Sequence, residues 1–347
     1  MIGLILLGGC SHKPATLFDR LTPGETGIDF INTIRESADA NLLNYAYFYN
    51  GGGVAIGDID NDGLPDILFT GNMSPNRLYR NKGHFTFEDI TESSGIAAAQ
   101  GWCTGATMAD VNGDGLLDIY ICRSADSDPV RRRNLLYINL GHGKFREAAA
   151  EYGLADEGYS TQAVFFDYDG DGDLDLFLVN HSLQQYATGS ETAEMRRQRL
   201  APFADKLYRN DNGHFVDVSL AAGITSNELT FGLGVVVSDL NGDGRPDIYV
   251  SNDFNEPDYF FLNKGDGTFV ECVAGSFDQV SLYSMGCDAA DFDNDGRPDL
   301  ITLDMSPGGN FSQKMHTGAE NFDKFQALFK QGFYPRSEER RVGKECQ

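Results

Sequence analysis

Five times in 347 residues the chain returns to one nine-residue pattern, with Asp or Asn at positions 1, 3 and 5, Gly at 6 and Asp at 9. The copies are Asp58–Asp66 (DIDNDGLPD), Asp110–Asp118 (DVNGDGLLD), Asp167–Asp175 (DYDGDGDLD), Asp239–Asp247 (DLNGDGRPD) and Asp291–Asp299 (DFDNDGRPD), and their first residues lie 52, 57, 72 and 52 apart. Alternating oxygen side chains put three hard donors inside a tight loop, and Gly at 6 permits the left-handed turn that closes it. A backbone carbonyl at 7 and a carboxylate at 9 complete an oxygen shell suited to Ca2+, as in the first half of an EF-hand loop. Because the last acid falls at 9 and not at 12, a helix-loop-helix is not implied. An Asp-Gly hairpin turn that binds nothing accounts for one such copy. It does not account for acids at 1, 5 and 9 in all five.

The rest of the unit repeats too. Asn76–Asn81 (NRLYRN), Asn134–Asn139 (NLLYIN), Asp205–Asn210 (DKLYRN) and Asp258–Asn263 (DYFFLN) each lead into a Gly-rich turn and then Phe-x-acid at Phe87, Phe145, Phe215 and Phe269. Three units end in Gly95-Ile96, Gly153-Leu154 and Gly223-Ile224. Small and β-branched residues precede each acidic loop, as in Gly53–Gly57 and Gly234–Ser238, and a short apolar strand follows it. A unit of roughly 50 to 60 residues with four short strands is the mark of a propeller blade, with the small residues on the innermost strand at the crowded axis. The expected fold is therefore all-β, a β-propeller of four-stranded blades. About four and a half blades are expected, over residues 48–97, 98–156, 157–226, 227–278 and an incomplete 279–335. A β-sandwich would not place one loop at one point of every unit.

On these motifs the chain resembles the FG-GAP/VCBS-repeat propellers, and most closely the bacterial ASPIC/UnbV (cartilage acidic protein-like) group, over about residues 27–335; integrin α-subunit propellers share the loop. The resemblance implies up to five Ca2+ ions. The first would sit on Asp58, Asp60, Asp62 and Asp66 with the carbonyl of Leu64, the second on Asp110, Asn112, Asp114 and Asp118 with Leu116. The third would take Asp167, Asp169, Asp171 and Asp175 with Asp173, the fourth Asp239, Asn241, Asp243 and Asp247 with Arg245, and the fifth Asp291, Asp293, Asp295 and Asp299 with Arg297. Asn at position 3 removes one negative charge from loops two and four and is expected to weaken them.

Composition agrees with metal demand. The net charge is −25 with a sequence pI near 4.4, which excludes nucleic acid as a partner, since a phosphate-binding surface needs a basic patch. Nineteen of the 52 acids are aspartates of the five loops. A hydrophobic content of 41% supports a packed core and speaks against disorder.

The ends read differently. Residues 1–9 (MIGLILLGG) are apolar, and Leu7-Gly8-Gly9-Cys10 resembles the lipobox of a bacterial lipoprotein, in which Cys10 would carry the lipid. The run is too short to span a bilayer and lacks a positive n-region, which leaves a misplaced start codon or an ordinary buried strand open. On the lipoprotein reading residues 1–10 are a signal, 11–26 a tether and 27–335 the propeller, and the protein is exported to the outer membrane of a Gram-negative bacterium, touching membrane only through its anchor. Arg336–Cys346 (RSEERRVGKEC) breaks the repeat where a third strand is due and reads as an in-frame translation of a short-read sequencing adapter, so residues 336–347 are taken as an artefact; a genuine tail is the alternative. The expectation is then a truncated seven-bladed ring, closed in the intact protein by a strand near Gly27–Asn32 pairing with the last blade.

Two stretches interrupt the repeat: 183–204, with a short helix expected around Thr192–Leu200, and 306–333, with Phe322, Phe325, Leu328 and Phe329 on one helical stripe. Either they cover blade edges or they form a recognition surface. Cys103, Cys122, Cys272 and Cys287 read as buried thiols, with a Cys103–Cys122 bridge as the alternative. Among the histidines, His84, His142 and His214 recur at one turn and read as turn residues, while His181, beside the first interruption, has no visible catalytic partner. The function expected is a non-catalytic, calcium-binding propeller lipoprotein that binds a protein or glycan ligand at the cell envelope. A calcium-dependent polysaccharide-processing enzyme and a structural spacer are the alternatives.

Overall fold

In the computed structural model, residues 17–96, 101–183, 194–277, 280–281 and 283–305 are described. The lipobox with Cys10, the stripe at 306–333 and the tail at 336–347 lie outside them.

The chain is a β-propeller. Blade 1 comprises β1 (Val54–Gly57), β2 (Asp66–Phe69), β3 (Arg77–Asn81) and β4 (Phe87–Asp89), and blade 2 comprises β5 (Trp102–Ala109), β6 (Asp118–Ser124), β7 (Leu135–Asn139) and β8 (Phe145–Glu147). Blade 3 comprises β9 (Ser160–Phe166), β10 (Asp175–Asn180), β11 (Lys206–Asn210) and β12 (Phe215–Asp217), and blade 4 comprises β13 (Gly232–Ser238), β14 (Asp247–Asn252), β15 (Tyr259–Asn263) and β16 (Phe269–Glu271). Two strands, β17 (Ser284–Ala290) and β18 (Asp299–Asp304), form the described part of blade 5. Each full blade is an antiparallel meander in chain order, and the first strands of successive blades lie side by side as the inner ring.

Alternation along the middle strands builds the core between blades. Ile119 and Ile121 of β6 pack with Leu68 and Leu78 of blade 1, whereas Tyr120 and Cys122 face Leu176 and Leu178 of blade 3. Phe177 and Val179 of β10 turn the other way, onto Ile248 and Phe261 of blade 4. Since successive side chains of a strand point to opposite faces, a strand sandwiched between two blades is buried along its whole length, as β6, β10 and β14 are. The same alternation decides the thiols: Cys103 lies in the blade 1–2 layer and Cys122 in the blade 2–3 layer, and both are free.

Small residues on the inner strands are required by close approach. A Cβ on Gly53 would lie 2.6 Å from the Thr104 carbonyl oxygen, and one on Gly105 would lie 2.5 Å from that of Thr161.

The Gly-Ile connectors join blade to blade. Gly95, Gly153 and Gly223 all have left-handed backbones (φ 89°, 82° and 79°), and a Cβ on each would lie 2.9, 2.5 and 2.5 Å from the carbonyl oxygen of Phe145, Phe215 and Phe269 in the next blade. Gly27 does the same, with φ 78° and a virtual Cβ 2.4 Å from the Phe87 carbonyl oxygen. It follows a one-turn helix, Pro23–Thr26, as Gly95 follows Thr91–Ser94 and Gly153 follows Ala149–Tyr152. The stretch Gly27–Asn32, where a ring-closing strand is expected in the intact protein, forms no strand here: it is a connector that lies across blade 1. Tyr79 donates its hydroxyl to Asp29 (2.9 Å), Phe30 stacks on Phe69 (5.2 Å between centroids), and Asn32 donates to Asn72 (2.7 Å). A capped helical turn thus occupies Thr22–Thr26, inside the stretch expected as a tether.

Of the interruption at 183–204, residue 183 and residues 194–204 are described. Backbone bonds from Arg197 to Glu194 and from Gln198 to Met195 make one helical turn inside the expected helix. Arg196 ties it to blade 4 through Glu256 at 2.7 Å.

Candidate functional site

All five acidic loops connect the first two strands of a blade in one register. The residue before position 1 pairs with position 9, as Gly57↔Asp66, Ala109↔Asp118, Phe166↔Asp175, Ser238↔Asp247 and Ala290↔Asp299. The carboxylate at position 1 folds the turn by accepting backbone N–H groups from within it. Asp58 takes those of Asp62 (3.0 Å) and Gly63 (2.7 Å), and Asp291 those of Asp295 (3.0 Å) and Gly296 (2.9 Å). The N–H of position 7 bonds the position 5 carboxylate, at 2.9 Å for Leu64 on Asp62. Such short-range bonds are what Asp and Asn offer a backbone. Position 4 is left-handed as well as position 6: Asn61 (57°), Gly113 (72°), Gly170 (79°), Gly242 (75°) and Asn294 (61°). The sequence signal for this was the exclusive use of Asn or Gly at position 4.

Three loops gather three carboxylates with one oxygen each inside 4.8 Å of the others: Asp58, Asp60 and Asp62; Asp167, Asp169 and Asp175; and Asp291, Asp293 and Asp295. Buried oxygens without a protein partner remain on Asp60 and Asp173. Anionic oxygens crowded in this way repel one another, and a small hard cation is the chemistry they fit. In loops two and four the position 3 amide turns its nitrogen to the position 5 carboxylate instead, Asn112 to Asp114 at 3.0 Å and Asn241 to Asp243 at 2.9 Å. Loop four adds the guanidinium of Arg245, which pairs with Asp243.

Position 9 is engaged by the scaffold. Both oxygens of Asp118 are occupied, one by the N–H of Val111 (3.1 Å) and the other by that of Asn139 (2.7 Å). Asp66, Asp175 and Asp247 repeat the arrangement with Ile59 and Asn81, Tyr168 and Asn210, and Leu240 and Asn263. Burial outweighs those N–H bonds and pushes the carboxyls up, to about 6 for Asp118, about 7 for Asp175 and about 6 for Asp247. Neighbouring aspartates of each loop push the same way.

The Asn that ends each third strand is a hub whose role sequence reasoning missed. Beyond its N–H bond to position 9, Asn139 Nδ2 donates to the Leu117 carbonyl (3.0 Å) and to that of Ile59 in the preceding blade's loop (2.8 Å), while its Oδ1 accepts from Gly141 (2.9 Å). Asn210 reaches Val111 (3.4 Å) and Asn263 reaches Tyr168 (2.9 Å) in the same sense. The recurrence of Asn at the end of NRLYRN-type strands was the available signal.

His84 and His142 sit at left-handed turn positions (φ 53° and 55°). His181 lies in the interior, 1% exposed, ringed by Tyr45, Tyr47, Tyr159 and Phe231. Its Nδ1 donates to the Ser182 carbonyl (2.7 Å), and its Nε2 faces the hydroxyls of Ser124 (2.9 Å) and Tyr45 (3.0 Å). Burial lowers its pKa to about 4, so the ring is neutral near pH 7.

Blades of four strands around an inner ring, each with one acidic hairpin at the same turn, define a repeat propeller of the acidic-loop class. The chain belongs to the FG-GAP-like repeat family, whose model matches residues 58–121, 124–178, 204–250 and 239–302. It is similar to cartilage acidic protein 1 of Xenopus tropicalis, with 26% identity over 263 residues covering 72% of this chain and 39% of the relative. It is likewise similar to that of Mus musculus, with 27% identity over 320 residues covering 86% and 45%. The chain thus spans less than half the length of these relatives, which fall in the group its motifs pointed to. Among solved structures, a lectin of Agrocybe aegerita described as recognising non-reducing terminal N-acetylglucosamine overlaps 71% of this chain and 59% of its own, at 21% identity and a TM-score of 0.41.

Proposed function

We propose that the chain is a non-catalytic binding module stabilised by calcium. The observation that carries this reading is the convergence of hard oxygens at the same hairpin of blades 1, 3 and 5, folded by the loops' own side chains. Residues 58, 60, 62 and their counterparts would hold the ion, and position 9 would join from its clamped place at the start of the second strand. With Asn at position 3, loops two and four would bind more weakly, and loop four weakest because Arg245 occupies Asp243. His181 is enclosed and hydrogen-bonded, which supports a packing role for it over a base. Export through Cys10 belongs to the same reading, and Cys10→Ser would then release the protein from membranes in a Gram-negative host.

The test is thermal unfolding with chelator and with Ca2+. Ligand linkage predicts a rise in Tm with calcium, over concentrations of roughly 10⁻⁴ to 10⁻³ M if the loops behave as extracellular modules do. Asp62→Ala should abolish one site. A melting curve indifferent to chelator would overturn the reading.

A further inference from the structure

Each of the five blades places one and the same position at a cavity of about 360 Å3 where the inner strands converge. Gly52, Thr104, Thr161, Leu233 and Met285 each stand six residues before the first Asp of their own loop. In blades 2 to 5 the ladder between the first two strands slips at this place: between Cys103 and Ala106, Val179 and Asn180, Gly232 and Gly234, and Ser284 and Gly286. A bulge takes a residue out of the ladder and re-aims its side chain, and bulges are concentrated beside binding sites. Here four bulges aim at one cavity.

The residues so delivered differ where their neighbours repeat. The next position is Gly in four units and Gln162 in the third. The hydroxyls of Thr104 and Thr161 already donate, to the carbonyls of Ser160 (2.8 Å) and Gly232 (2.8 Å), which leaves their oxygens as acceptors. Gln162 Oε1 already accepts the Val235 N–H (3.2 Å), which leaves its Nε2 as a donor. Leu233 and Met285 make the other side apolar, and rings of Trp102 and Tyr45 also line the space. Among the described residues no Asp, Glu, Lys or Arg lines it, in a chain of net charge −25. The acidic loops stand at the far ends of the same strands, about 20 Å away at roughly 3.3 Å per residue.

A ligand matched to this space is uncharged, carries donors and acceptors on one edge and presents C–H groups on the other. The volume lies at the small end of ligand pockets, which run from roughly 300 to 1,000 Å3. We propose that the axial cavity binds a neutral sugar residue, its hydroxyls on Thr104, Thr161 and Gln162 and its C–H face on Leu233 and Met285. This inference rests on the binding-module reading.

The experiment is saturation-transfer NMR and calorimetry on the full chain in calcium, with glucose, galactose and N-acetylglucosamine as neutral probes and galacturonate as the charged one. The expected result is that a neutral sugar binds, galacturonate does not, and affinity falls at least tenfold in Gln162→Leu and in Met285→Asp. Tm for each variant shows that it folds, and Thr104→Val stands in for one that does not. No binding by any neutral probe, equal binding of galacturonate, or affinity unchanged in folded variants would overturn the cavity as a sugar site; in the last case the binding-module reading survives, with its site elsewhere. Appearance of a converted sugar in the spectra would instead keep the cavity and overturn the non-catalytic reading.

Discussion

The side-chain amide of Asn139 donates to the Ile59 carbonyl at 2.8 Å, across 80 residues of chain, and so fastens the third strand of blade 2 to the acidic loop of blade 1. Its backbone N–H meanwhile holds Asp118 of its own loop at 2.7 Å. Asn139→Ala keeps that N–H but removes the side-chain bonds to Ile59 of loop one and Leu117 of loop two, and should therefore loosen two loops at once. Its lost bonds are worth about 1 kcal/mol each, or roughly 2–3 kcal/mol together. A calcium titration should show two weakened sites, against one in Asp62→Ala; a single weakened site would show that the loops are independent.

Asp118 and Asp114 share a loop and should separate by role. Asp118→Ala strands two buried N–H donors, at about 1–3 kcal/mol each, and should lower the denaturation midpoint even in chelator. Asp114 is exposed, so Asp114→Ala should matter chiefly when calcium is present. Chemical denaturation of both variants with and without chelator gives four midpoints, and equal losses in chelator would contradict the assignment.

Three glycines with similar φ form a graded series. Gly113→Ala meets open space and should cost only the left-handed penalty, about 1–2 kcal/mol. Gly153→Ala and Gly27→Ala add a methyl group against a carbonyl oxygen at 2.5 and 2.4 Å, and both should lose clearly more, by similar amounts. If Gly27→Ala behaved like Gly113→Ala in thermal melts, residues 23–28 would not be a blade connector.

His181 predicts a pH effect whose sign follows from its depressed pKa. Unfolded, the ring takes a proton below about 6.5, while folded it resists until about 4. The unfolded state thus binds more protons in that window. Stability is fully present above pH 6.5 and is lost as pH falls toward 4, by up to about 3 kcal/mol. Raised carboxyls such as Asp205, buried and pushed to about 7, act in the opposite direction, so the quantity to measure is the difference in slope between the wild type and His181→Gln. Parallel slopes between pH 7.5 and 5 would remove His181 from the account.

Period and spacing carried most of the fold, because every blade repeats the same strand, acidic loop and strand at the same register. The loops were legible for a related reason: Asp at 1 and 5 both folds the turn and faces the centre of the loop, so one pattern reports structure and chemistry together. What spacing could not carry was partnership between blades. Gly27-Ile28 reads as the start of a strand, yet its left-handed glycine docks on Phe87 of blade 1, and only the other three connectors reveal why. Asn139 looks like a turn residue until its amide is found on Ile59. A Cys103–Cys122 bridge was open from sequence, but alternation along paired strands sends the two thiols to different faces. The axial cavity escaped notice because a bulge changes which way a residue points without changing its spacing from the loop.

The docking of each Gly connector on the Phe carbonyl of the next blade also sets a clock. Gly95 has no seat until Phe145 has been made, Gly153 none until Phe215, and Gly223 none until Phe269, so each waits for about 50 residues more. At a synthesis rate of roughly 5–20 residues per second that delay is about 3–10 s per blade. A nascent chain therefore always carries one finished blade whose trailing face is still bare, and this face travels along the polypeptide as it grows. The interval in which the protein is most exposed to wrong partners recurs with every blade, on a schedule set by the ribosome.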